Sequence, residues 1–178
     1  MNSIVLDFET TGPNPQYAMP VQAAYAVYTP VGEEIEATSF LVNPGLPIGE
    51  GAFAVHGISD EKAQKEGISL NSFAAKWHQV VWKYQPINLL GYNIINFDLI
   101  ILQRLLGLHT KGKFKYPPIE KVVDVMFLAQ RFFQTRRWLK LVESVNRAGI
   151  PHNPDNFHEA LVDVRFTWKL YDKLINRR

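Results

Sequence analysis

The sequence predicts a mixed α/β domain, and three observations predict it. Three β-prone segments lie close together before residue 43 with turn chemistry between them. Beyond that point amphipathic helical patterns alternate with short apolar strands. With 178 residues, 47% hydrophobic and 12% aromatic, the chain can bury the core of one domain and is too short for two ordinary ones. A single unit over residues 1–178 is therefore expected.

Taken in order, residues 3–9 form a mostly apolar first strand, and 21–29 a second one rich in Val, Tyr and Ala. Pro30-Val31-Gly32 turns the chain into a third strand at 35–42, and the three are expected to pair antiparallel. Residues 43–54, with two prolines and three glycines, are expected to be loop. Ser59 caps a short helix that ends at Gly67. A longer helix at 70–84 gathers Phe73, Trp77, Val80, Val81 and Tyr84 on one side, and Pro86 stops it. Residues 87–90 give a fourth strand, 97–106 a nearly all-apolar helix, 111–118 a basic loop, and Val122-Val123 the fifth strand. Helices follow at 125–133, 139–148 and 159–176.

Charge is divided sharply along the chain. From Met1 through Glu61 there are eight acids and no Lys or Arg; all 19 basic residues lie beyond. They are densest from Arg104 to Lys140. Such halves suit an acidic, cation-binding site beside a basic surface for a polyanion. Phe114, Tyr116, Phe132, Phe133 and Trp138 are interleaved with the basic residues, and most of them are expected in the core. Zero cysteines exclude disulfides, thiolate metal sites and a cysteine nucleophile. No apolar run is long enough to span a bilayer, and Asp7 interrupts the first apolar segment too early for a signal peptide, so a cytoplasmic location is expected.

The acids carry the chemistry. Asp7 and Glu9 lie two apart on a strand, so both side chains leave one face while Phe8 leaves the other. Adjacent carboxylates repel unless something positive neutralises them, and hard oxygen ligands suit Mg²⁺ or Mn²⁺. Asp98 heads an apolar helix, where an acid serves equally well as a cap. Asp163 falls inside the apolar sector formed by Ala160, Val164, Trp168, Tyr171 and Ile175, with Leu170 and Leu174 at its edge. A carboxylate on an inward face needs a partner. His158, five residues earlier, converges with Asp163 only if it stands on the loop that leads into the helix; there an imidazole suits a general base. Asp124, at a strand end before a helix, reads as a structural cap.

In this order the residues resemble the DEDD superfamily of 3′→5′ exonucleases, in the histidine (DnaQ-like) subtype. Val5-Leu6-Asp7-Phe8-Glu9-Thr10-Thr11-Gly12 matches the first motif, Asn93-x3-Phe97-Asp98 the second, and His158-x4-Asp163 the third. Val55-His56-Gly57-Ile58 is similar to a segment found between the first two. Glu159 stands where the tyrosine subtype would have Tyr. The second motif has Tyr92 where His commonly precedes Asn and one extra residue before Phe-Asp, a spacing similar to family B DNA polymerase exonuclease domains. This leaves open whether Asn93 or Asn96 lines the groove.

The resemblance implies a ribonuclease-H-like fold, with a mixed five-stranded sheet flanked by helices. It implies that Asp7, Glu9, Asp98 and Asp163 hold two Mg²⁺ or Mn²⁺ ions about 4 Å apart, with His158 as the base for an attacking water. Thr11, Gly12, His56, Asn93 and Phe97 correspond to positions that bind the terminal nucleotide. The expected partner is a single-stranded or frayed DNA 3′ end. RNA is the alternative substrate, and a non-catalytic nucleic-acid-binding module the remaining one. Polymerase association is compatible with the family, although the chain ends soon after its last helix with no long binding tail.

Overall fold

The computed structural model describes residues 1–110, 119–153 and 157–176. The first three strands are β1 (Asn2–Thr10), β2 (Pro20–Tyr28) and β3 (Glu34–Asn43). They pair as an antiparallel unit, with Asp7 opposite Ala24 and Ala24 opposite Ser39. The helices α1 (Glu50–His56) and α2 (Asp60–Glu66) follow, then β4 (Ile68–Ser69), α3 (Leu70–Tyr84), β5 (Ile87–Gly91) and α4 (Asp98–Thr110). The chain continues through β6 (Ile119–Asp124), α5 (Val125–Phe132), α6 (Leu141–Arg147) and α7 (Ala160–Asn176).

The sheet order is β4-β3-β2-β1-β5-β6, with β5 and β6 running parallel to β1. It has six strands where five were expected. The extra one, β4, is a two-residue edge strand pairing Val42 and Asn43 with Ile68 and Ser69, too short to leave a periodic signal. The segment read as loop at 43–54 contains α1. That helix buries none of its residues, so it carries no apolar period for the sequence to display. The expected helix caps hold: the Ser59 side chain accepts from the Lys62 N–H, and Gly67 ends α2. A Cβ on Gly67 would stand 2.5 Å from the Asn43 nitrogen, so α2 can lie this close to β3 only with glycine there.

The alternation of β1 decides what lies on each face. Ile4, Leu6 and Phe8 enter the larger core with Phe73, Trp77, Val81, Ile101 and Leu105 from α3 and α4. Val5 enters the opposite core with Ala24, Leu90, Ala160 and Val164. Asp7 and Glu9 continue the Val5 side, which is the side α7 covers. The buried side of α7 differs from its predicted stripe: Ile175 is 50% exposed, whereas Phe166 is buried. Phe166 stacks on Phe157, 4.9 Å between ring centroids, so the lead-in to α7 covers a flank that the helical period assigns to solvent. Arg165 pairs with Glu34 at 2.7 Å and ties α7 to β3.

Candidate active site at the end of β1

β5 pairs with β1 only as far as Val5. Beyond that point the Asp98 carboxylate takes the place of the missing strand, accepting the Phe8 N–H at 3.1 Å. Asp98 is thus set at the mouth of the sheet by a backbone bond, and it is 3% exposed. The approach also depends on Gly91, where a Cβ would meet Ile94 side-chain atoms at 2.8 Å.

α7 supplies Asp163 and the residues before it supply His158. His158 takes a left-handed backbone conformation, φ 72°, and its N–H donates to the Asp163 carboxylate. This turn does what a continuous helix could not: a carboxylate oxygen from each of Glu9 and Asp163 and a ring nitrogen of His158 all lie within 4.8 Å of one another. The expected convergence of His158 and Asp163 from a loop and a helix is present.

Mutual repulsion marks the cluster. Burial, then Asp98, Asp163 and Glu9, push the Asp7 carboxyl well above its ordinary range. Glu9 is pushed up to about 8 by burial and by Asp163 and Asp98. Burial raises Asp98 to about 7 and Asp163 to about 6, against the backbone hydrogen bonds that each accepts. Among the described residues, Asp163 Oδ1 is the only buried side-chain nitrogen or oxygen without a hydrogen-bond partner. An orphaned carboxylate oxygen facing other acids and an imidazole fits a divalent cation, which would satisfy it and neutralise its neighbours.

A cleft of about 500 Å³ opens beside these groups, and Thr11, Gly12, His56 and Phe97 line it together with Glu9. Thr11 is fixed at three atoms: its N–H donates to the Met19 carbonyl, its hydroxyl accepts the Met19 N–H, and its carbonyl accepts the Gly49 N–H. His56 is held by both ring nitrogens. Nδ1 accepts the Ile58 N–H at 3.1 Å, so Nε2 carries the proton and donates to the Thr10 carbonyl at 3.2 Å. Burial lowers its pKa, so it offers the cleft a neutral ring face and no free nitrogen. Phe97 packs against the larger core and still lines the cleft.

Asn93 is separated from those four. It lines a neighbouring cleft together with His158 and Asp163. The exposed Asn96 donates from Nδ2 to the Asn93 Oδ1 at 3.3 Å, and of the two only Asn93 lines that cleft. Asp124 caps α5 through the Met126 N–H as expected, and also accepts the Asn93 and Ile95 N–H groups. It therefore moulds the turn before Asp98, a role that a cap signal does not disclose.

Contacts and exposure sharpen the reading of the basic region. Arg104 is a loop staple and not a phosphate contact, because Nη1 donates to the Pro15 and Ala18 carbonyls at 2.7 and 2.9 Å. Phe132 and Trp138 are 47% and 58% exposed, not core. The basic loop 111–118, with Phe114 and Tyr116, lies outside the described residues. Tyr92, noted only as a departure from a motif, bonds through its hydroxyl to the Leu139 carbonyl and to Ser144 Oγ, at 2.8 and 2.7 Å.

The Exonuclease family model (RNase_T) matches residues 4–171. The chain belongs to this family. The match agrees with the DEDD-type motifs, because it spans all three of them. No curated protein matches the chain. Among solved structures it resembles Escherichia coli exonuclease I in a zinc-bound complex with single-stranded DNA: 22% identity, TM-score 0.85, covering 99% of this chain and 41% of that one. The same enzyme with a dT13 oligonucleotide gives 22% identity and a TM-score of 0.80, covering 97% and 41%. Exonuclease I from Methylocaldum szegediense gives 21% and 0.81, covering 99% and 40%. These likenesses establish a shared ribonuclease-H-like exonuclease fold. The chain spans about two-fifths of the length of those enzymes. No helix among its described residues is long and apolar enough to cross a membrane.

Proposed function

We propose that the chain is a divalent-metal-dependent 3′→5′ exonuclease that shortens single-stranded DNA and releases nucleoside 5′-monophosphates. The observation that carries this reading is the convergence of Glu9, His158 and Asp163, with one buried oxygen of Asp163 left unpartnered. Asp7 and Asp98 complete the acid set. These four carboxylates would hold Mg²⁺ or Mn²⁺, which supplies charge neutralisation and Lewis acidity at a phosphodiester.

The protein's own groups divide the remaining work. The hydrogen bonds on Thr11 and His56 make the 500 Å³ cleft a preformed receptor for a terminal nucleoside. Phe97 offers a ring face to its base. His158, on its exposed turn, accepts the proton of the attacking water as the water adds to the terminal phosphorus; the bond from that phosphorus to the 3′-oxygen of the preceding nucleotide breaks, and this oxygen leaves as a 3′-hydroxyl with a proton from solvent. Its strained φ holds the ring toward the acids instead of letting it continue the helix. The choice of DNA is supported by the single-stranded DNA bound in the exonuclease I structures, and a cytoplasmic location accords with that role.

A time course with 3′-labelled and 5′-labelled single-stranded DNA and RNA, in Mg²⁺, Mn²⁺ or chelator, tests the reading. Immediate release of the 3′ label as a mononucleotide from DNA, stepwise shortening of the 5′-labelled strand, and silence in chelator are expected. Faster loss from RNA would make it an exoribonuclease; no loss from either with metal would leave a binding module.

A further inference from the structure

The neighbouring cleft, of about 400 Å³, is not accounted for by any nucleotide-binding motif except Asn93. Its walls include Trp138, Lys140 and Phe157 together with His158 and Asp163. Trp138 is 58% exposed, yet the backbone on both sides of it is fastened. The Arg137 N–H donates to Thr135 Oγ1, its carbonyl accepts from Gln130, and its guanidinium pairs with Glu143 at 2.7 Å. Leu139 is buried and its carbonyl accepts the Tyr92 hydroxyl. The Lys140 N–H donates to Glu143 Oε2 at 2.9 Å. An exposed indole on a tethered backbone is a preordered flat surface, the kind on which a nucleobase stacks with little ordering cost. Its setting is basic: residues 131–140 contain Arg131, Arg136, Arg137 and Lys140 and no acid.

We propose that this cleft receives the base of the nucleotide immediately 5′ to the scissile phosphate, stacked on Trp138 with Lys140 beside its phosphate. The inference rests on the exonuclease reading above. Glu9 lines the first cleft while His158 and Asp163 line the second, so both clefts border the groups that would hold a phosphodiester. With the 3′-terminal nucleoside in the Thr11–His56 cleft, the preceding nucleotide enters the Trp138 cleft. Stacking is sequence-tolerant but stronger for larger rings, so a purine at this position binds more tightly than a pyrimidine.

The test is a double-substitution cycle in Kd, read by fluorescence anisotropy of 5′-labelled single-stranded DNA in chelator, where hydrolysis is blocked. The full chain is compared with Trp138→Ala and Trp138→Phe on intact DNA and on DNA abasic at the penultimate or at the terminal position. Trp138→Ala is expected to weaken binding of intact DNA about tenfold. It should have no effect on DNA abasic at the penultimate position and its full effect on DNA abasic at the terminus, with Trp138→Phe recovering most of the loss. Equal losses on all three DNAs, coupling to the terminal base, or no measurable binding by the unaltered chain would each overturn the proposal. Failure of the exonuclease reading is separate: it would appear as no 3′ shortening with Mg²⁺ or Mn²⁺, whatever the Kd cycle gives.

Discussion

Asp124 caps the start of α5 and Asp163 lies in the first turn of α7, and the two acids have opposite surroundings. Asp124 is 5% exposed, and the Asn93, Ile95 and Met126 N–H groups all point at its two oxygens. Asp163 accepts the His158 N–H, but its Oδ1 is buried with no partner and Glu9 stands opposite. Burial raises the pKa of both, yet backbone bonds compensate Asp124 on every side while Asp163 is left facing other acids. A carboxylate filled by the chain's own donors braces the fold; one held open and crowded by like charges waits for a cation.

The contrast breaks most visibly in activity. Asp163→Asn, or Asp7→Ala, should lower exonuclease turnover by at least about a thousandfold, since cation-held charge is worth several kcal/mol at the phosphodiester. His158→Ala should cost about a hundredfold to ten-thousandfold, as expected for loss of a general base. Initial rates of mononucleotide release check both, and activity within a few-fold of normal would remove the residue from the site.

Stability should rank the two acids the other way. Asp124→Ala orphans several buried N–H groups and should cost about 3 kcal/mol in urea denaturation, whereas Asp163→Asn in chelator should be neutral or stabilising. An Asp124 variant as stable as the unaltered chain would deny its bracing role.

The pH dependence separates them further. Glu9, at about 8, binds its proton more tightly in the folded chain than in the unfolded one, where a Glu titrates near 4.5. Between those values the folded state holds more protons, so stability without metal falls as pH rises from about 4.5 to about 8. Thermal melts in chelator should show that fall, and Glu9→Gln should flatten it. A Tm that climbs over the same range would contradict the crowding of the acids. The smallest effect belongs to the surface: Lys140→Ala should reduce the salt dependence of single-strand binding by about 0.7 in log–log slope.

The sequence disclosed what periodicity and motif order can carry. Strand alternation put Asp7 and Glu9 on one face, and helical spacing put Asp163 inward. His158 belongs on a loop, because five residues do not return to the same side of a helix. What it hid depends on contacts between distant segments. Arg104 sits in a basic stretch, but its guanidinium is spent on the carbonyls of Pro15 and Ala18. Trp138 is a large aromatic of the kind usually buried, yet its ring lies outside between the anchored Arg137 and Leu139. α1 is hidden for a related reason: Phe53 and Val55 are about half exposed, with Val55 lining the first cleft, so no buried stripe announces a helix.

The central claim is that the open acids, and not the filled one, bind a divalent cation. Thermal melts near pH 8 in millimolar Mn²⁺ and in chelator test it directly, because a cation that binds only the folded chain raises Tm by mass action. The unaltered chain should gain stability with Mn²⁺, and Asp163→Asn should lose that gain while still folding in chelator. An unaltered chain that melts at the same temperature in both, or an Asp163→Asn chain that gains as much, would contradict the account.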